Sequence, residues 1–286
     1  MTVTTEQDVA RQGARAATDA VTLSFSDPTA GLHAIFRLGL DPDGRASAFA
    51  LVFSGREPVA AEARGELDVT GADWTSLAAG GLRLEVVEPL ERWRLEWEGA
   101  GARVELEATA ASAPAAVPAL AGLEGYEQLV RVRGTVETGG SAAAVDADGQ
   151  RGHLCGTPAW HEVDLTRSVA VWLGGGDGLA LTSARPAGAR GHDEEAAWAA
   201  LVQAGEPVAV ADPRLSTTYD GDGHQRRAGL ELWVTDDAAY PERVAGEVLC
   251  GSTLDLGPVR LDVAFFTWHA DGRDGTGRYD ILRRTD

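Results

Sequence analysis

The sequence contains no lysine, so all 25 of its basic residues are arginine. They face 44 acidic residues, which leaves a formal net charge of −19 over 286 residues. Coulomb repulsion on that scale excludes nucleic acid and an anionic membrane surface as natural partners. Cysteine is nearly absent: Cys155 and Cys250 are the two present. They are too few for a disulfide scaffold, and a bridge between them would require both to meet in space. No run approaches the roughly 20 apolar residues of a membrane span. Met1 to Ala20 lacks a basic segment followed by an apolar one, so a secretory leader is not expected. A cytoplasmic setting with reduced thiols is expected instead. The sequence also lacks a G-x-S-x-G elbow, a phosphate-binding loop and a dinucleotide fingerprint after a strand. It therefore gives no motif support for a hydrolase, a nucleotide-dependent enzyme or a dehydrogenase, and no cofactor is expected.

Strand signals are what the chain has in quantity. Glycine numbers 35, and most segments alternate with period two rather than 3.6. In Glu91–Glu98, Trp93, Leu95 and Trp97 share one face, while Arg92, Arg94, Glu96 and Glu98 share the other. In Ala228–Thr235, Leu230 and Leu232 oppose Glu231 and Trp233. Ala264, Phe266 and Trp268 oppose Val263 and Phe265. Such patterns predict an all-β chain of antiparallel sheets. Thr5 to Asp19 reads either as a short helix capped by Thr5 or as a frayed arm. Asp193–Gln203 reads as a helix in the C-terminal half, capped by Asp193 and stopped by Gly205. The Ala-, Pro- and Ser-rich stretch from Ala108 to Gly125 reads as a crossover or linker between halves, with a buried loop or a lid as the alternative. That reading divides the chain into domains at residues 1–122 and 123–286.

Chemistry concentrates between Tyr126 and Trp160. An alternating strand carries Val130, Val132 and Val136 on one face, Gly139-Gly140 turns the chain, and a further turn is expected at Asp148-Gly149. After it come Arg151, His153, Cys155 and Trp160. His153 is a candidate general acid or base near neutral pH. Glu231 is a candidate proton donor if its face of the strand is buried. Tyr126, Cys155, Trp160, Trp172, Trp233, Phe266 and Trp268 are candidate walls for a small hydrophobic substrate. His153, Cys155 and His161 have the spacing H-x-C-x5-H, but no second ligand pair accompanies them, so no metal is expected.

The run Gly134-Thr135-Val136, the glycine turn, Gly149-x-Arg151-x-His153-x-x-Gly156 and the nearby Trp160 together resemble the AttH/CrtC lipocalin-like group. That group includes carotenoid 1,2-hydratase and double-barrel Diels–Alderases. The tail from Phe266 to Arg273, with Gly275 and Gly277, is similar to the group's last hairpin. The likeness lies mainly in residues 126–186 and 260–284. It departs from the group's Asp-His-x-Trp-Gly motif, with Gly152 at the Asp position and Cys155 at the Trp position. The group's Tyr-x-Asp on a following strand has only Trp172 and Asp177 as counterparts. The resemblance implies two lipocalin-like barrels packed side by side. It also implies a cofactor-independent cyclase, or a proton-assisted adder to alkenes, acting on a hydrophobic polyketide or terpenoid. The alternatives are a polyene hydratase or isomerase, and a non-catalytic carrier of hydrophobic ligands.

Overall fold

A computed structural model describes residues 2–11, 16–158, 160–191 and 194–285, with the Trp160 side chain outside the described set. The chain divides into two compact units, Met1–Pro158 and Ala159–Asp286. The change of unit thus falls after Pro158, not between residues 122 and 123.

The first unit opens with the helix α1 (Thr5–Val9). Strands follow as β1 (Thr18–Asp27), β2 (Leu32–Leu40), β3 (Ala46–Ser54), β4 (Glu57–Leu67), β5 (Ser76–Ala79) and β6 (Leu82–Glu88). Next come β7 (Arg92–Gly99), β8 (Ala102–Ala110), β9 (Ala115–Leu120), β10 (Leu123–Thr138) and β11 (Ser141–Gly156). They form one antiparallel sheet in the order β4-β3-β2-β1-β11-β10-β8-β7-β6-β5, with β9 added beside β10. The long hairpin β10–β11 lies mid-sheet and joins the early strands to the middle ones. Thr138 pairs with Ser141, and Gly139 and Gly140 between them both have positive φ, 58° and 78°. That is the turn whose twist suits a two-residue hairpin, and glycine adopts it without penalty.

The second unit holds β12 (Val163–Gly174), β13 (Asp177–Pro186), β14 (Ala196–Gln203), β15 (Glu206–Ala209) and β16 (Asp212–Tyr219). It ends with β17 (Gln225–Trp233), β18 (Glu242–Asp255), β19 (Val259–Ala270) and β20 (Arg273–Arg284). Its sheet order is β15-β14-β13-β12-β20-β19-β18-β17-β16. Each sheet curls over its own core. In the first unit Phe25, Phe36, Trp74, Trp93, Leu95 and Trp97 fill the interior, as the alternation of β7 requires. In the second, Leu230, Leu232, Ala264, Phe266 and Trp268 do so.

Three sequence expectations give way. The segment read as the helix Asp193–Gln203 is strand β14 from Ala196 onward; Asp193 itself lies outside the described residues. Alanine favours a helix locally, but pairing with β13 from Gly178↔Val202 to Ala184↔Ala196 overrides that preference. Gly205 is not a helix stop: with Ala204 it makes a two-residue turn of positive φ between paired Gln203 and Glu206. The single α-helix among the described residues is α1, in the N-terminal half. It starts after Thr4, whose N–H donates to Gln7 Oε1 at 2.8 Å. The stretch 108–125 does not leave the first sheet, since Ala115 and Val117 are buried in β9. Asp148-Gly149 is no turn either, because β11 runs straight through it and Gly149 abuts the Ser24 carbonyl.

Core packing makes a direct prediction. Phe36 is 1% exposed and packs 5.9 Å from the Trp97 ring. Phe36→Ala should cost about 3–5 kcal/mol in urea denaturation followed by tryptophan fluorescence. Tyr240, 86% exposed, sets the control: Tyr240→Ala should stay within about 0.5 kcal/mol of the parent.

Candidate functional site

The pleat of β11 sends Val145, Ala147, Arg151 and His153 to the interior of the first unit. Val145 and Ala147 are apolar, but the last two are a cation and an imidazole, both no more than 3% exposed. Buried groups of this kind demand partners, and distant parts of the chain supply them.

Arg151 is met by Asp8 from α1, with Nη2 2.6 Å from Oδ1. Tyr126, on β10, donates its hydroxyl to the same oxygen at 2.6 Å, and its oxygen accepts from Arg151 Nη1. The second Asp8 oxygen accepts from the Leu90 N–H at 2.7 Å and from Trp93 Nε1 at 2.9 Å. The Arg151 guanidinium carbon stands 4.8 Å from the Trp93 ring centroid, a cation–π contact. Burial by itself would raise the Asp8 carboxyl; Arg151 first, then the Tyr126, Leu90 and Trp93 donors, bring it below its ordinary value. Burial, helped by Asp8 and opposed by Arg151, raises the Tyr126 phenol, which stays protonated. The backbone of α1 joins in, since the Trp74 N–H donates to the Val9 carbonyl at 2.9 Å.

The neighbouring group centres on His153. Its Nε2 is 2.7 Å from Asp19 Oδ1 on β1, and the other oxygen of Asp19 accepts from Trp74 Nε1 at 3.0 Å. The Trp74 and Tyr126 rings meet the imidazole edge-on, with centroids at 5.3 Å and 6.0 Å. His153 Nδ1 is buried and has no hydrogen-bond partner among the described residues. A carboxylate can only accept, so a neutral His153 carries its proton on Nε2 and leaves a lone pair on Nδ1. A carboxylate and an indole thus surround this histidine, although Gly152 and Cys155 replace the Asp and Trp of the resembling motif. They come from Asp19 and Trp74. At Gly152 the Glu127 carboxylate lies 2.5 Å from where a Cβ would stand, so any larger residue there would have to displace that side chain.

The other residues singled out from sequence separate. Tyr126 and His153 do come together. Cys155 follows on the same strand, half-buried, and burial, with Asp19 and Glu124 adding to it, pushes its thiol up to about 11. It is a thiol at neutral pH and no nucleophile. No disulfide joins the two cysteines. Phe266 and Trp268 stack 5.2 Å apart inside the second core, beside Tyr279. Trp172 is buried on the face of β12 opposite Val169 and Val171. Glu231 points away from the second core, with its carboxylate 45% exposed and 3.3 Å from Arg243, so the burial that would make it a proton donor is missing. Trp233 shares that outer face, under the Arg214 guanidinium at 5.9 Å. Trp160 begins a short 3-10 turn, and its side chain lies outside the described residues. Among the described residues the one group spaced to hold a cation is Asp220, Asp222 and His224 on a surface loop, not His153, Cys155 and His161.

Sequence reasoning missed Asp8, Asp19, Trp74 and Trp93 as members of this site. The only sequence hint is Asp19 itself, an acid directly ahead of the apolar-rich strand Ala20–Phe25. The Asp8–Arg151 pair carries a prediction. Asp8→Asn leaves Arg151 buried without its anion, at a cost of about 3–5 kcal/mol near neutrality. The folded-state carboxyl lies below its ordinary value of 3.8. Its contribution is therefore complete above pH ~4 and lost as pH falls through the depressed folded value. Denaturation midpoints of parent and variant should differ most at pH 7 and converge below pH ~4.

The architecture is shared with solved structures. An AttH candidate from Nitrosomonas europaea is 14% identical, with 98% of this chain and 96% of that one covered and a TM-score of 0.72. Kievitone hydratase from Nectria haematococca is 9% identical, with coverage of 100% and 96% and a TM-score of 0.68. CghA in complex with Sch210972 is 11% identical, with coverage of 94% and 89% and a TM-score of 0.64. Likeness at these identities is likeness of fold, and the fold is the AttH/CrtC-like double barrel. No curated protein sequence matches the chain. A family model matches residues 5–284, and the chain belongs to that family, DUF7064, a domain of unknown function.

Proposed function

We propose that the protein is a cofactor-independent enzyme of the cyclase or hydratase kind, acting on a hydrophobic polyene, polyketide or terpenoid. The carrying observation is the open Nδ1 of His153, fixed by Asp19 and walled by Trp74 and Tyr126. An imidazole held by a carboxylate on one nitrogen and open on the other can take a proton and return it. Its aromatic walls suit an alkene or a developing cation. Tyr126 stays neutral and can support a polarised oxygen by its hydroxyl. Conformational restraint of a flexible substrate would supply the rest of the rate, as cyclisation requires. The solved structures of this fold add support: one is named a hydratase, and another was solved with the small molecule Sch210972.

Access to His153 requires movement. His153 is 2% exposed, and the cavity of about 440 Å³ in that unit is lined by residues near Gly80–Arg83 and Trp97, not by His153. The helix α1 covers the site through Asp8 and Val9. Its outward swing is the opening that this reading needs.

The test uses acyclic polyenes (geraniol, farnesol and lycopene) in ¹⁸O-labelled water, with products resolved by mass spectrometry. The parent should convert at least one of them faster than buffer. His153→Gln should lower that rate by roughly a hundredfold, the usual worth of one general acid or base, while its melting temperature stays near the parent's. If the parent binds these compounds and quenches its tryptophan fluorescence without converting any, the enzyme reading fails and the carrier reading stands.

A further inference from the structure

The second unit has a concavity that the His153 network does not use. It holds about 450 Å³ and lies where β12 begins and β20 ends. Asp164, Leu165, Arg185, Tyr219, Arg283 and Arg284 line it. Three arginines and one aspartate line it, with Asp262 4.0 Å from Arg283 and the His161 carbonyl 3.5 Å from Arg284, in a chain whose acids outnumber its bases by 44 to 25. Unselected surface of this protein would carry the opposite sign.

Strand register explains how the cations gather. Leu165 on β12 lies opposite Arg185 on β13 and, on its other side, opposite Arg283 on β20. Directly opposed residues share a face of the sheet, so two guanidinium stems flank one leucine. Their backbones are two strand spacings apart, about 10 Å, a span that long arginine side chains can close around one headgroup. The Arg283 guanidinium carbon stands 5.3 Å from the Tyr219 ring centroid, and its Nη2 donates to the Gly223 carbonyl at 3.0 Å. These contacts fix the plane of the guanidinium.

Two donors are left over. Nε of Arg185 and Nε of Arg283 are buried and have no hydrogen-bond partner among the described residues. The nearest acids stand off at 3.9 Å, for Asp164 and Arg185, and 4.0 Å, for Asp262 and Arg283. Those separations exceed hydrogen-bond length. Asp262 Oδ1 accepts from Thr253 at 2.7 Å and Arg260 at 2.9 Å, while its Oδ2, 4.0 Å from Arg283 Nε, is likewise buried without a hydrogen-bond partner among the described residues. A buried N–H without an acceptor is costly, and a guanidinium fork matches an oxyanion. Deeper on the same face of β12, Arg167 pairs with Glu195 and reaches Thr217, so the charge there is balanced.

We infer that this cavity binds a small amphipathic organic anion. Its carboxylate or phosphate group sits between Arg185 and Arg283, with Arg284 at the rim, and its apolar body lies against Leu165 and the Tyr219 ring. The site stands independently of the His153 reading.

Titration calorimetry on the full chain tests it with decanoate, decyl phosphate, decanol and inorganic phosphate. One of the two decyl anions should bind at one per chain, about tenfold or more tightly than decanol, as expected for a charge-assisted contact. The better of the two identifies the headgroup. Added salt should weaken the anion and not the alcohol. Arg185→Gln and Arg284→Gln, each checked by melting temperature, should each weaken the anion about tenfold and leave decanol unchanged. Arg283→Gln is a poorer probe because it also removes the tie to Gly223. Equal binding of decanol and decanoate, no anion binding below millimolar concentration, or unchanged affinity in both folded variants would overturn the inference. Inorganic phosphate binding as tightly as decyl phosphate would overturn its amphipathic part.

Discussion

The first unit depends on a constraint that its own strand β11 creates. Alternation must place every second residue inside, and two of those positions are Arg151 and His153. A cation and an imidazole in a core of Trp, Phe and Val would cost several kcal/mol if left alone. The chain answers by bringing in two carboxylates, Asp8 from α1 and Asp19 from β1. Each carboxylate has both oxygens engaged, Asp8 with Arg151, Tyr126, Leu90 and Trp93, and Asp19 with His153 and Trp74. The N-terminal helix is therefore tied to the sheet by an ion pair, not by apolar packing alone. With both carboxylates engaged the two groups hold one geometry, and a fixed geometry is what proton transfer needs. Within them, among the described residues, His153 Nδ1 is buried without a hydrogen-bond partner, and the proposed function rests on that nitrogen.

Much of the architecture was legible because a sheet writes itself into a sequence with period two. Trp93, Leu95 and Trp97, and likewise Ala264, Phe266 and Trp268, lie inside as their spacing requires. Gly139-Gly140 turns as its type demands. Two of the failures, at β14 and β9, had a common cause, the ambiguity of alanine. Alanine-rich segments read locally as helix or linker, yet Ala199 and Ala200 in β14 and Ala115 in β9 are buried strand residues, chosen for small size where backbones pack closely. Local propensity cannot see the neighbouring strand that decides the matter.

The site was legible only in half. His153 and Tyr126 lie within one motif, and register pairs them directly. Their partners are 134 and 118 residues away in sequence, Asp19 for His153 and Asp8 for Tyr126. No local pattern points to either. Glu231 shows the converse error: sharing a strand face with a tryptophan does not make that face the inner one. In the second unit the arginines of the 450 Å³ cavity were invisible for the same reason as Asp19, since Arg185 and Arg283 meet only through β12.

The two units thus present different chemistry: paired carboxylates among aromatic walls in the first, and a cluster of arginines around one concavity in the second. In the first, Asp19 faces Nε2 of His153 and leaves Nδ1 bare. Nitrogen-15 NMR of the histidine rings, with His153 assigned through His153→Gln, reads this directly. The neutral His153 ring should be in the Nε2–H form, with a tautomer signature that is lost in Asp19→Asn. A proton found on Nδ1 of the parent protein would contradict it.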